Sequence, residues 1–112
     1  SNTVYIGRTT ADTAISVDTP YILRAHYNGD TASSGVKIFR NGTQIDNGDS
    51  NAGTFTGVPS TSTAPLELGS QEAVLNLSGD IFEGVVLTRD IGVESGRQLD
   101  RYLGAIYAIA VV

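Results

Sequence analysis

Cysteine, methionine and tryptophan are absent from this 112-residue sequence, and histidine occurs once. Without cysteine there is no disulfide framework, no thiolate zinc site and no cysteine nucleophile. Charged residues make up only 17% of the chain, with 12 acidic against 7 basic, for a net charge of −5. An acidic surface repels both nucleic acid and anionic membrane, so neither is expected as a partner. No apolar run approaches the roughly 20 residues that a membrane-crossing helix needs. The first residues show no basic stretch followed by an apolar one, so no signal peptide is expected. What is present is globular: 40% apolar residues and a mean hydropathy of −0.01. That composition and length fit one domain, residues 1–112, with one modest core.

Thirteen glycines, with abundant Ser, Thr and Asn, punctuate short β-branched runs at about 8–12-residue intervals, the rhythm of an antiparallel sandwich. An N-terminal arm with the first strands is expected over residues 1–20, with strands at Thr3–Ile6 and Thr13–Val17. Tyr21–Tyr27 reads as a strand that places Leu23, Ala25 and Tyr27 on one face and Ile22, Arg24 and His26 on the other. The presence of Leu23 makes the first of these the expected core face. Val36–Arg40 and Thr43–Asp46 flank Asn41-Gly42. A type I′ turn requires positive φ at both central residues, which Asn-Gly supplies at least steric cost, so a tight hairpin is predicted. Asp46–Ala64 reads as a long loop with one short strand near Thr54–Val58. Pro65–Leu68, Ala73–Leu77 and Asp80–Thr88 read as further strands, the last the most hydrophobic, with Gly84 as a bulge or close-packing point.

The period then changes. Leu99, Tyr102, Leu103, Ile106 and Tyr107 follow i, i+3, i+4, i+7 and i+8, one apolar helical stripe. A helix is predicted over residues 93–107 with Gly92 as its cap, and Tyr102 and Tyr107 are assigned to the core. Gly104 costs the helix about 1 kcal/mol relative to alanine and is expected to permit close approach to the sandwich. Ile109–Val112 is an apolar, extended tail.

Four segments in order resemble the second half of a concanavalin A-like, laminin-G-like jelly roll. They are Tyr21–Gly29 with Val36–Gly42, then Pro65–Ser70, then Leu77-Ser78-Gly79-Asp80-Ile81, and Ile91–Tyr107 with Tyr102-Leu103. The resemblance implies an all-β, antiparallel jelly-roll-like β-sandwich with one C-terminal α-helix. Three departures stand out: only about twenty residues precede Tyr21, Arg40 stands where that family has an apolar residue, and Asn28 replaces its usual turn aspartate. A sandwich this short is expected to leave sheet edges unpaired, and such edges template pairing with another chain.

The candidate chemistry is sparse. Sandwich glucanases similar to this family carry a Glu-x-Asp-x-x-Glu run, which is absent; Glu67 and Glu72 fall on separate elements. A Ser-His-Asp triad would have to use His26, and no Gly-x-Ser-x-Gly elbow accompanies it. His26 reads as a strand residue on a partly exposed face. Asp46-Asn47-Gly48-Asp49 and Asn28-Gly29-Asp30 offer oxygens for calcium, but turns need the same residue types. No catalytic residue, metal or cofactor is therefore assigned. Tyr5 and Tyr21 are the candidate sugar-stacking rings, and Tyr21, Asn28 and Asp30 the candidate glycan contacts; Tyr27 reads as core. Asn41 and Asn76 head glycosylation sequons that read as coincidence.

The expectation is a non-enzymatic structural protein acting by protein–protein contacts in a homo-oligomer. In type it resembles the small jelly-roll decoration (staple) proteins of tailed-bacteriophage capsids, which implies a place on the virion surface with capsid or tail proteins as partners. The alternatives are a carbohydrate-binding module of a phage tail or bacterial surface protein, and a hydrolase remnant. Candidate protein contacts are Thr3, Val4, Tyr5, Ile6 and Arg8 in the arm, the long loop, and Ile109, Val111 and Val112 in the tail.

Overall fold

The computed structural model describes residues 4–58, 66–71 and 75–112. Within them the chain forms antiparallel strands followed by one C-terminal helix. The strands are β1 (Arg8–Thr10), β2 (Leu23–Tyr27), β3 (Val36–Arg40), β4 (Thr43–Gln44), β5 (Asp46–Asp49), β6 (Ser70–Gln71) and β7 (Leu75–Asn76), and the helix is α1 (Gly92–Tyr107). They pair as β1-β5, β2-β3-β4 and β6-β7.

The hairpin forms as its turn chemistry requires. Asn41 and Gly42 take φ of 50° and 87°, and Arg40 pairs with Thr43 across the turn. The Asn41 side chain also ties the turn to β2 by accepting from the Ile22 N–H at 2.9 Å. The Val112 N–H donates to the Asn41 carbonyl, so the C-terminal tail lies against this turn. A Cβ on Gly42 would stand 2.8 Å from the Val112 carbonyl oxygen, a second reason for glycine there.

Asp46–Asp49, read from sequence as loop, is strand β5 paired with β1. Its composition opposes a strand, but its side chains are used in the fold. Arg8 pairs with both Asp46 and Asp49, Asp46 accepts from the Ile38 N–H at 3.0 Å, and Ser33 donates to Asp49 at 2.7 Å. Ion pairing and backbone capture override intrinsic propensity here. Further along the same stretch, Thr54–Val58 is not a strand.

Other expected strands are shorter, shifted or missing. Thr3 lies outside the described residues, and of Thr3–Ile6 only Tyr5 pairs, in an isolated bridge to Ala52. Thr13–Val17 is not a strand. Leu66–Leu68 is irregular and the pairing falls at Ser70–Gln71 against Leu75–Asn76, with Pro65, Glu72, Ala73 and Val74 outside the described residues. Asp80–Thr88, expected to be the most hydrophobic strand, forms none. Among the described residues no segment is paired with it, and a strand exists only through its ladder.

The packing faces also differ from the alternation argument. Leu23 is 58% exposed, whereas Arg24 and His26, on the opposite face of β2, are largely covered. The helix explains the inversion. Its buried positions are Gly96, Asp100 and Gly104, an i, i+4, i+8 line, and not the apolar stripe. Asp100, 2% exposed, receives the Arg24 Nε–H through both carboxylate oxygens at 3.1 and 3.0 Å. Gly96 lies against the Arg24 guanidinium, where a Cβ would come within 2.5 Å. Gly104 accommodates the tail rather than a sheet, with the Ile109 carbonyl oxygen 2.5 Å from where its Cβ would stand. The helix starts at Gly92, whose N–H donates to Asp90, and ends at Ala108 in the left-handed conformation. The buried apolar residues are Ile22 and Phe39 alone among the described residues.

Candidate functional site

The surface feature that stands apart is apolar. Ile81, Phe82, Val85, Val86 and Leu87 are all exposed, Phe82 at 70%. The helix adds Tyr102, 65% exposed, with Ile106 and Tyr107. These tyrosines were expected in the core, and the structure places them outside because polar pairing and small residues occupy the helix's inner line. The two groups of apolar residues meet: Phe82 stacks on Tyr107 with ring centroids 6.2 Å apart and planes inclined by 22°. The Tyr107 hydroxyl donates to Glu83 at 2.7 Å, and that bond to a carboxylate raises the phenol's pKa. Segment and helix end therefore form one apolar ridge fixed by a polar clasp.

The arm and tail contribute less uniformly. Val4 and Tyr5 are exposed and, with Ile6, border a shallow apolar groove that also includes Tyr27, Val36 and Phe55. Tyr27 is thus at a groove wall rather than in a closed core. Arg8 is consumed internally by Asp46 and Asp49. Ile109 and Val111 are half-buried, Val111 against Gly42 and Gly104, while Val112 is exposed.

The candidate glycan residues are engaged with their own loops. The Tyr21 hydroxyl accepts from the Ser16 N–H at 3.1 Å, which lowers its pKa, and the Arg40 guanidinium lies over its ring. Asn28 accepts from the Asp30 N–H and Asp30 from the Thr31 N–H, the side-chain-to-backbone bonds of a turn. The structure does not bring Tyr21 together with Asn28 and Asp30 through any bond among the described residues.

No family model, curated protein or solved structure matches the chain.

His26, expected as a strand residue on a partly exposed face, is on β2 with intermediate burial, its side chain 14% exposed. Its Nδ1 bonds Asp90 at 2.9 Å, and its ring meets Phe39 edge-on at 5.5 Å. The bonds from His26 and from the Gly92 N–H hold the Asp90 carboxyl below the usual carboxylate range. No serine or threonine hydroxyl bonds His26 among the described residues. No cluster of three metal-ligating side chains occurs among the described residues, and none of their helices is long and apolar enough to cross a membrane. Arg24 and Asp100 were not legible as a pair: 76 residues separate them, and nothing local in the sequence marks either as buried.

Proposed function

We propose that the chain is a non-enzymatic assembly module that self-associates, its contact surface being the ridge formed by Ile81–Leu87 and the outer face of α1. The carrying observation is the exposed apolar ridge itself: Ile81, Phe82, Val85, Val86 and Leu87, with Tyr102, Ile106 and Tyr107 of the helix, all stand open to solvent, and a contiguous patch of large aliphatic and aromatic side chains is the surface that protein–protein contacts cover. The jelly-roll reading belongs to the same proposal. Ile81–Leu87 is the stretch best suited to a sandwich strand, and a neighbouring subunit's sheet edge would supply its ladder partner.

In its finer form the module is a decoration (staple) protein on the capsid of a tailed bacteriophage. The size, acidity and lack of cysteine of the chain support that form.

Light scattering on the purified chain tests the first level. The expected result is a defined oligomer, reduced to monomer by Phe82→Ser with Val86→Ser. A monodisperse monomer at high micromolar concentration would refute it. Co-sedimentation with capsid shells, lost on deleting residues 1–8, tests the second. Saturable retention of a monomer on polysaccharide would favour the carbohydrate-binding alternative.

A further inference from the structure

Among the described residues, β2 is the longest strand with an open side: β3 pairs along one edge, and no strand pairs along the other. The register shows which backbone groups turn to the open edge. The Asn41 N–H donates to the Ile22 carbonyl and the Asn28 N–H to the Gly35 carbonyl. Arg24 and His26 stand opposite Phe39 and Lys37 between those two bonds. Antiparallel pairs alternate, so Ile22, Arg24, His26 and Asn28 bond toward β3, whereas Leu23, Ala25 and Tyr27 point their N–H and C=O groups outward. The side chains of Leu23 and Ala25 beside that edge are exposed. Sheets commonly guard an open edge with proline, lysine or a bulge. β2 holds neither residue and pairs with β3 without a bulge, and its Arg24 and His26 side chains are engaged by Asp100 and Asp90.

The complementary piece is in the same sequence. Ile81–Leu87 is rich in β-branched and aromatic residues and holds no proline. It makes no backbone–backbone hydrogen bond among the described residues. Fully extended, the segment spans roughly 23 Å, enough to cover the roughly 17 Å of β2. It does not close the edge of its own chain. Ala25 and Tyr27 border one cavity of about 330 Å³ with Val85 and Leu87, so a gap separates edge from segment. Two ties hold the segment there: Phe82 and Glu83 on Tyr107 at one end, and Asp90 on His26 just beyond the other.

We propose, resting on self-association through the ridge, that Ile81–Leu87 of a second copy of this chain adds as a strand to the open edge of β2. Its backbone takes the outward groups of Leu23, Ala25 and Tyr27, and its apolar side chains cover Leu23, which is 58% exposed in the single chain. Edge and segment border the same cavity, so a two-fold axis between them brings each segment onto the other copy's edge, and both ladders form at once. The contact is isologous and closes as a dimer.

Amide hydrogen exchange on the full chain, followed residue by residue in dilute and in concentrated solution with light scattering on the same samples, is the test. The Leu23, Ala25 and Tyr27 amides should exchange freely in the dilute monomer and slow at least tenfold in the concentrated dimer. The Arg24 and His26 amides, bonded to β3, should be slow in both. Ala25→Pro removes one outward N–H and leaves the β3 ladder intact, since proline is tolerated where the N–H faces away from the neighbouring strand. It should weaken dimerisation at least tenfold. The exchange comparison uses the wild-type chain and so stands even if that variant does not fold. A defined oligomer in which the Leu23, Ala25 and Tyr27 amides still exchange freely would overturn this pairing and leave self-association through the ridge in place. Equal protection at both concentrations would also overturn it, because the edge would then be closed within one chain. A monomer at every concentration would overturn both.

Discussion

At the scale of single residues, the fold depends on an ion pair that hydropathy would have placed outside. Asp100 is almost wholly buried, and its partner Arg24 is covered by the helix and by Phe39. Removing one member of such a pair strands the other charge in low dielectric. Asp100→Ala should therefore cost about 3–5 kcal/mol, a large part of the roughly 5–15 kcal/mol available to a domain. Replacing both members, Arg24→Leu with Asp100→Leu, should recover most of that loss, because the pair's own attraction only offsets its desolvation. Urea unfolding of the two single variants and the double variant measures both. The acids set a second prediction. Asp46 is held below its ordinary value: burial pushes it up, but the Ile38 N–H and Arg8 outweigh burial. Asp49 is lowered by Ser33 and Arg8, and Asp90 by His26 and the Gly92 N–H. A carboxyl with a depressed folded-state pKa stabilises the fold fully above its unfolded value, and the gain disappears as pH falls through the folded value. The urea midpoint should hold level from pH 7 to about pH 5 and fall below about pH 4. Asp46→Asn should lower the neutral-pH midpoint and shrink that acid loss.

At the scale of elements, legibility followed how local the determinant was. The Asn41-Gly42 hairpin was readable because its cause, positive φ at two adjacent residues, lies within the turn. The extent of α1 was readable from the i, i+3, i+4 spacing, and its start one residue early is within the fraying of helix ends. Its orientation was not readable. The apolar stripe implied Leu99 and Tyr102 inward, but Gly96, Asp100 and Gly104 admit an arginine and a returning tail that the helix's own sequence does not announce. Strand β5 was missed for the same reason, since Arg8, Ser33 and Ile38 rescue an Asp-Asn-Gly-Asp run from three distant places. Gly104 gives the sharpest test at this scale. Propensity alone says Gly104→Ala should stabilise the helix by about 1 kcal/mol. The tail says otherwise, because the new methyl would strike the Ile109 carbonyl oxygen and Val111, and overpacking costs about 1–3 kcal/mol. A net loss of thermal stability, relieved only in part by truncating Val111 to alanine because the Ile109 carbonyl oxygen stays in the way, is the expected outcome in calorimetry.

At the scale of the molecule, two buried apolar side chains among the described residues, Ile22 and Phe39, are few for a chain in which 40% of residues are apolar. Each large apolar side chain fully buried contributes about 1.5–3 kcal/mol relative to leaving it exposed, so the ridge from Ile81 to Leu87 holds stabilisation that an isolated subunit cannot realise. Covering it in an oligomer couples stability to concentration, since anything that binds the folded state alone raises its stability by mass action. The melting temperature should therefore rise with protein concentration, whereas that of a self-sufficient monomer would stay fixed. Phe82→Ser with Val86→Ser distinguishes the two cases within one experiment. Both side chains are exposed in the single chain, so their loss should leave the melting temperature at the lowest concentration nearly unchanged. At high concentration the variant should lack the rise seen in the wild type. A drop at every concentration would mean that the residues stabilise the monomer itself, and self-association would then need another surface.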